Sequence, residues 1–226
     1  MTKRLVSIWV RLQRGTTLAT QADLQNKLHV LRQSRQFVDA KPSTDSDIEI
    51  WLAYKRRTSG VLLGFALIEY ASDLVIPNDS KIKATLQELS QNAADILVWF
   101  EEIVSYNVRQ ARDDKSSLIF LLSSGSRSIQ DAINAATARA KAALSKFLAL
   151  ERETVNGEID ASARRYIQGL RDCIIGFAHW IYETDMYFLG QGEEVRAFGW
   201  VFMLPKSDAD PMERWMSEQR DTSNDT

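Results

Sequence analysis

Cysteine is nearly absent from this chain of 226 residues. The one cysteine, Cys173, excludes an internal disulfide and is typical of proteins that stay in a reducing compartment. Proline and glycine are also scarce, with 4 and 10 residues, and alternating apolar and polar runs are nearly missing. Because short strands joined by tight turns need such runs and such turn residues, a fold rich in β-structure is disfavoured.

An excess of positive charge is lacking as well. The formal net charge is −2, so no basic field favours nucleic acid or an anionic membrane surface as a partner. The N-terminal run MTKRLVSIWV has two basic residues but no long apolar stretch and no small-residue cleavage site. No apolar run reaches the ~20 residues that a bilayer-spanning helix needs. We therefore predict a cytoplasmic protein with no signal peptide, no membrane span and no nucleic-acid partner.

Several common catalytic patterns are missing from the sequence. The chain has one cysteine, Cys173, and two histidines that are far apart, His29 and His179, so it lacks the spaced cluster that is typical of a zinc site. No phosphate-binding P-loop, no dinucleotide-binding glycine pattern and no nucleophile elbow occurs. These absences exclude the most readily recognised nucleotide, zinc and serine-hydrolase sites.

Helical periodicity is what the sequence does have, along most of its length. Apolar residues recur every three or four positions, which predicts an all-α helical bundle. The two longest patterns predict core helices from Ala84 to Arg112 and from Ile159 to Phe188, packed near each other. Shorter helices are predicted at 48–55, at 61–71 and at 129–147, the last opened by a Ser128-x-x-Asp131 capping box.

Turn-rich breaks separate the predicted helices at 41–47, 76–80, 123–126 and 154–160. None of these breaks marks a boundary between two domains. We therefore predict one all-α domain over residues 1–205, followed by a polar, disordered tail at 206–226.

Residues 99–114, WFEEIVSYNVRQARDD, combine the helical pattern with an unusual set of polar side chains. Glu101, Ser105 and Arg109 are spaced by four residues. A helix therefore places an acid, a hydroxyl and a base along one face.

Four segments carry a likeness to a known family: WLAYKRRTSGVLLGFALIEYASDLVIP (51–77), WFEEIVSYNVRQARDD (99–114), WIYETDMYF (180–188) and EEVRAFGWVFMLPK (193–206). In their order and spacing, the chain resembles the C-terminal two-thirds of a fungal class I terpene synthase of the sesquiterpene cyclase kind. The resemblance implies a partial isoprenoid synthase fold. It also implies ionisation of a prenyl diphosphate, above all farnesyl diphosphate, with the help of Mg²⁺.

The second segment matches the family's metal motif, N/D-D-x-x-S/T-x-x-x-E. The resemblance places the three ligand positions on Glu101, Ser105 and Arg109, of which Glu101 and Ser105 can still offer oxygen to Mg²⁺. Arg109 departs from the motif, because a guanidinium ~4 Å from a divalent ion is repelled by several kcal/mol. Two roles stay open: Arg109 contacts the diphosphate in place of part of the metal's charge, or it only pairs with Asp113 at one helical turn.

The first and third segments match the family's diphosphate contacts. The resemblance makes Arg56 the diphosphate sensor, Ser59 a linker and Gly60 the effector glycine at a helix break. The alternative interpretation is a basic helix end closed by a glycine cap. Tyr187 keeps the tyrosine of an Arg-Tyr pair that assists closure of the site, whereas Met186 stands where the arginine is expected.

The family's aspartate-rich motif has no counterpart between Met1 and Pro42, where Asp23 and Asp39 stand alone. Two hypotheses follow. The chain is a divergent sesquiterpene synthase of weak activity, or it is a catalytically inactive, truncated relative that acts as a helical binding or interaction protein. Because the resemblance implies that covering helices are missing, we expect exposed apolar surface that favours a homo-oligomer.

Overall fold

The computed structural model describes residues 18–34, 45–72, 74–76, 79–123, 127–206 and 211–224. Within these ranges the regular structure is helical and contains no strand, which confirms the predicted all-α fold. The helices are α1 (Leu18–Ser34), α2 (Asp45–Thr58), α3 (Val61–Ala71), α4 (Ser80–Ala111), α5 (Leu118–Leu122), α6 (Ile129–Asn156), α7 (Ala161–Glu183), α8 (Asp185–Phe188), α9 (Gly192–Phe198) and α10 (Pro211–Asn224).

Local capping explains where several helices begin. Asp79 accepts hydrogen bonds at 2.8 and 2.9 Å from the first amides of α4, those of Lys81 and Ile82. One half of the predicted Ser128 capping box is present: the Asp131 amide donates to the Ser128 hydroxyl at 3.1 Å, and that hydroxyl donates to Asp131 Oδ2 at 2.7 Å. Parts of three predicted breaks lie outside the described residues: 41–44 of the break at 41–47, 77–78 of the break at 76–80 and 124–126 of the break at 123–126. Residues 45–47, predicted as part of the first break, belong to α2.

The predicted continuous helix from Ile159 to Phe188 is wrong at one point. Thr184 adopts an extended conformation, with ψ 139°, and its side chain accepts a hydrogen bond from the Met186 amide at 3.3 Å. This cap ends α7 at Glu183 and starts the short helix α8.

The described residues divide into two compact units: unit 1 comprises those up to Val98 together with 141–174, and unit 2 comprises those in 99–140 and from Ile175 onward. In unit 1, α1 packs against α2 and α3. The core includes Phe65 and Leu89, both almost fully buried. A Cβ atom on Gly169 of α7 would approach the Ile68 side chain of α3 too closely, so only glycine lets these two helices meet as they do.

Unit 2 contains a small core around the end of α7. Ile181, Tyr187 and Phe188 are buried there, and Phe177 and Val195 pack against them. This core holds the short helix α8 in place.

The segment 206–226, for which the sequence predicts a polar and disordered tail, contains helix α10 in its described part. The predicted domain boundary at 205 stays a prediction. Among the described residues, no helix combines the length and apolarity needed to cross a membrane.

Candidate functional site

The predicted metal stripe lies in the last three turns of α4, within unit 2. Here the Arg109 guanidinium turns back along the helix: Nη2 donates to Glu101 Oε1 at 2.7 Å, and Nη1 lies 3.6 Å from Glu102 Oε1. The side chains of Arg109, Glu101 and Glu102 are 19%, 34% and 0% exposed. A cation therefore sits between two carboxylates at the place where the motif would hold a metal ion.

The second carboxylate oxygen of Glu102 also has a partner. Its Oε2 accepts a hydrogen bond at 2.6 Å from the backbone amide of Leu118, the first residue of α5. Burying an ionised carboxylate costs several kcal/mol unless charge and hydrogen bonds compensate it. Arg109 and the Leu118 amide supply both, so Glu102 fixes the start of α5 to the end of α4.

The electrostatics of Arg109 agree with this geometry. Burial lowers its pKa, but Glu102, Glu101 and the hydrogen bond to Glu101 raise it, and the net pKa lies above its ordinary value. The alternative partner Asp113 was a wrong prediction. Asp113 lies beyond the end of α4 with a positive φ of 55° and pairs with Lys115 at 3.6 Å and Lys206 at 3.5 Å.

Ser105 lies between Glu101 and Arg109 along the stripe. It is 5% exposed, and its hydroxyl has no hydrogen-bond partner among the described residues. Because Glu101 already binds a guanidinium, Glu101, Ser105 and Arg109 as they stand do not fit a divalent ion. In the described part of the chain, no three His, Cys, Asp or Glu side chains gather into a metal-ligand group.

Tyr187 is the predicted site residue that unit 2 places near this stripe. It is buried on α8, with its ring 5.9 Å from Trp180 in an edge-on arrangement. Burial and the charge of Glu101 raise the pKa of Tyr187 to about 12, although Arg109 opposes the rise. The phenol is therefore a neutral hydrogen-bond donor at physiological pH, and it lines a cavity of about 320 Å³.

Arg56 lies in unit 1, near the end of α2. Its Nε donates to Asp95 Oδ1, and the two side chains are 22% and 16% exposed. Burial raises the pKa of Asp95, while the hydrogen bond and charge of Arg56 lower it, with a net rise above the ordinary value. The predicted sensor arginine is thus held by a carboxylate that pays a desolvation cost.

Ser59 and Gly60 form the break between α2 and α3. Gly60 has φ 81° and ψ −1°, a left-handed conformation that disfavours any other residue. The Ser59 hydroxyl makes only long contacts, 3.4 Å from the Val61 amide and 3.5 Å from the Arg56 carbonyl. The predicted helix break at Gly60 is therefore present.

Sequence reasoning missed three residues that shape these regions. Asp95 is 39 residues from Arg56, so no local spacing could reveal the pair. Glu102 could have been found, since seven residues is two helical turns from Arg109. Asn107 binds the segment after α9, donating to the Phe202 carbonyl and accepting from the Leu204 amide, both at 2.8 Å.

Comparison with known proteins places these features in context. Residues 2–146 match the family model described as terpene synthase family 2, C-terminal metal binding. That description implies that the family uses a divalent metal.

Curated relatives are fungal enzymes. Sesquiterpene synthase 6 of Postia placenta is 29% identical over 203 residues, which are 88% of this chain and 60% of that protein. Sesquiterpene synthase 3 of the same fungus is 32% identical, over 76% of this chain and 48% of that protein. Alpha-muurolene synthase of Coprinopsis cinerea is 29% identical, over 70% of this chain and 38% of that protein. The chain thus spans between about two fifths and three fifths of these relatives' lengths.

Proposed function

Since the chain belongs to the terpene synthase family, we propose that it acts as a sesquiterpene synthase on a prenyl diphosphate, with farnesyl diphosphate as the substrate. Its relatives bear the names of sesquiterpene synthases. In this proposal, Arg56 senses the diphosphate, and Gly60 forms the helix break beside it. The reaction is the loss of diphosphate from the allylic carbon, followed by cyclisation of the cation.

The arrangement of Arg56 carries this proposal. An arginine can bind two phosphate oxygens at once, and Arg56 is held part-buried at a helix end, one short turn before Gly60. Its present partner, Asp95, is an imperfect one because burial disfavours the ionised carboxylate. A diphosphate, with more charge and more oxygens, is a better partner for the same guanidinium.

A cavity in unit 1 with an apolar part supports the choice of a hydrocarbon substrate. The cavity has a volume of about 540 Å³, and its lining is mixed: apolar side chains such as Leu62, Phe65 and Leu86 lie beside charged ones such as Lys27 and Glu69. Pockets for small ligands have volumes of ~300–1,000 Å³. A prenyl chain of fifteen carbons suits the apolar part of this lining.

Mg²⁺ is the ion that we propose to accompany the diphosphate, because hard cations prefer oxygen ligands. The proposal gives Glu101 and Ser105 no part in holding it, since Glu101 binds Arg109. Arg109 is likewise left out of the proposed diphosphate contacts, because both of its Nη atoms face carboxylates.

Incubation with farnesyl diphosphate and Mg²⁺ tests the proposal, with gas chromatography of the extract and a pyrophosphate assay. We expect slow, protein-dependent formation of sesquiterpene. Arg56→Gln should abolish it, whereas Arg57→Gln, the same change at the exposed neighbouring arginine, should preserve it. Equal activity of the two variants, or no product from the wild type, would contradict the proposal.

The alternative, a catalytically inactive binding protein, is favoured by one observation: Arg109 neutralises the metal stripe. Binding of a non-hydrolysable farnesyl thiodiphosphate, measured by calorimetry, separates the two functions. Arg56-dependent binding without any turnover would support the binding protein.

A further inference from the structure

We propose that Arg109 is a built-in cation that takes the place of a metal ion, so that the Glu101–Ser105–Arg109 stripe binds no divalent ion in this chain. This inference deepens the proposed function and rests on it only for the identity of the substrate.

The contacts of Arg109 support the replacement. Its two Nη atoms each face a carboxylate oxygen of α4, at 2.7 Å from Glu101 and 3.6 Å from Glu102. Glu101 is the first ligand position of the stripe, and it already has the partner that a metal ion would have been. A divalent ion would have to displace a guanidinium that is four-fifths buried and doubly paired.

The charges of the cluster lead to the same conclusion. Two carboxylates and one guanidinium sum to −1, whereas a carboxylate at position 109 would give −3. A divalent oxygen-ligand site gains affinity from each added carboxylate. Arg109 therefore removes attraction as well as adding repulsion.

The hydroxyl of Ser105, unpaired within the described part of the chain, is consistent with the replacement of a metal-binding carboxylate by Arg109. Its buried hydroxyl has no partner among the described residues, and buried polar groups of a folded protein are normally hydrogen-bonded. A guanidinium has only donors and gives Ser105 no lone pair to bind, whereas a carboxylate at position 109 adds acceptors and, with Glu101 and Ser105, three oxygen ligands on one helix face.

Mn²⁺ titration of the whole chain, followed by the electron paramagnetic resonance signal of the free ion, tests the inference without any substrate. We expect the wild type to show no saturable Mn²⁺ site at the stripe. Arg109→Glu should gain one, binding at least 10-fold more tightly than any wild-type site. The added change Glu101→Gln should remove the gain. Arg112→Glu, the same charge reversal at an exposed position three residues away, is the matched control and should gain nothing.

Circular dichroism checks that each variant folds. If Arg109→Glu does not fold, Arg109→Gln replaces it in the titration. In Arg109→Gln the summed charge of the cluster is −2, so this variant should gain less Mn²⁺ affinity than Arg109→Glu. The inference is overturned if the wild type already binds Mn²⁺ through Glu101, or if a folded Arg109→Glu variant gains no site. Because no turnover is measured, failure of the proposed synthase activity leaves this result unaffected.

Discussion

Arg56 and Arg109, the two arginines that the family resemblance singles out, are held in different ways. Arg56 in unit 1 has one carboxylate partner, Asp95, on another helix and 39 residues away in sequence. Arg109 in unit 2 has two carboxylate partners on its own helix, and one of them is fully buried and bound to a backbone amide. The first pair can open without disturbing a helix, whereas the second is part of the joint between α4 and α5.

The comparison teaches that the same residue type can serve ligand binding in one region and structure in another. What separates the two is the environment of the carboxylate. Burial of Asp95 raises its pKa without full compensation, while Glu102 accepts a hydrogen bond from the Leu118 amide through Oε2 and lies 3.6 Å from Arg109 Nη1 through Oε1. A ligand that offers phosphate oxygens can therefore compete for Arg56 far more easily than for Arg109.

Truncation of Glu102 is the largest effect that we predict. Glu102→Ala leaves Arg109 short of a partner and the Leu118 amide unsatisfied, so the free energy of unfolding should fall by about 3–5 kcal/mol. Urea denaturation measures the loss. Glu101→Ala is the control on the same guanidinium and should cost about 1 kcal/mol or less, because Glu101 is one third exposed. An equal loss of unfolding free energy in the two variants would contradict the different roles that we assign to Glu101 and Glu102.

Asn107 provides the next largest prediction, on the same stretch of α4. Asn107→Ala loses two hydrogen bonds to the segment around Phe202 and Leu204, at about 1 kcal/mol each. We expect a loss of about 2 kcal/mol in unfolding free energy and faster amide exchange at Leu204. Unchanged exchange at Leu204 would show that the segment is held by other contacts.

The raised pKa of Tyr187 predicts that the free energy of unfolding depends on pH, and the charge of Glu101 contributes to that rise. Its folded pKa of about 12 lies above the ordinary 10, so its stabilising contribution is complete below pH ~10 and is lost as the pH rises through about 12. Between pH 9 and pH 11, a single such group loses about 1.4 kcal/mol of stability. Denaturant unfolding at both pH values should show this loss in the wild type and not in Tyr187→Phe. An equal loss in both proteins would contradict the raised pKa.

Asp95 is expected to give the smallest effect. Asp95→Ala removes the partner of Arg56 but also removes a carboxylate that burial disfavours, so we expect a change of about 1 kcal/mol or less in unfolding free energy. The matched comparison is Glu102→Ala in the same denaturation assay. A loss above that of Glu102→Ala would reverse the assignment of structural and ligand-binding arginines.

Much of the fold could be predicted from the sequence because its signals are local. The predicted helix at 61–71 coincides with α3, and the Ser128 capping box lies where its spacing places it. The interruption at Thr184 was missed because the apolar period continues across it. A single capping threonine is a weak signal inside a strong helical pattern.

The partners in the candidate site were harder to predict. Pairing of Arg109 with Asp113 assumes that the helix continues for one more turn, but α4 ends at Ala111, and the positive φ of Asp113 turns its side chain off the helix face. Glu101 lies two helical turns before Arg109, so their pairing needs the full length of the arginine side chain. The usual rule for helix pairs considers only residues three or four apart. The Arg56–Asp95 pair depends on tertiary packing alone.

Nuclear magnetic resonance of the arginine Nε–H groups during titration with inorganic pyrophosphate tests the central claim most directly. Arg56→Gln and Arg109→Gln assign the two resonances. We predict that the Arg56 signal shifts in a saturable way as it exchanges Asp95 for phosphate oxygens, while the Arg109 signal stays in place. A saturable shift of Arg109, with Arg56 unmoved, would contradict the account.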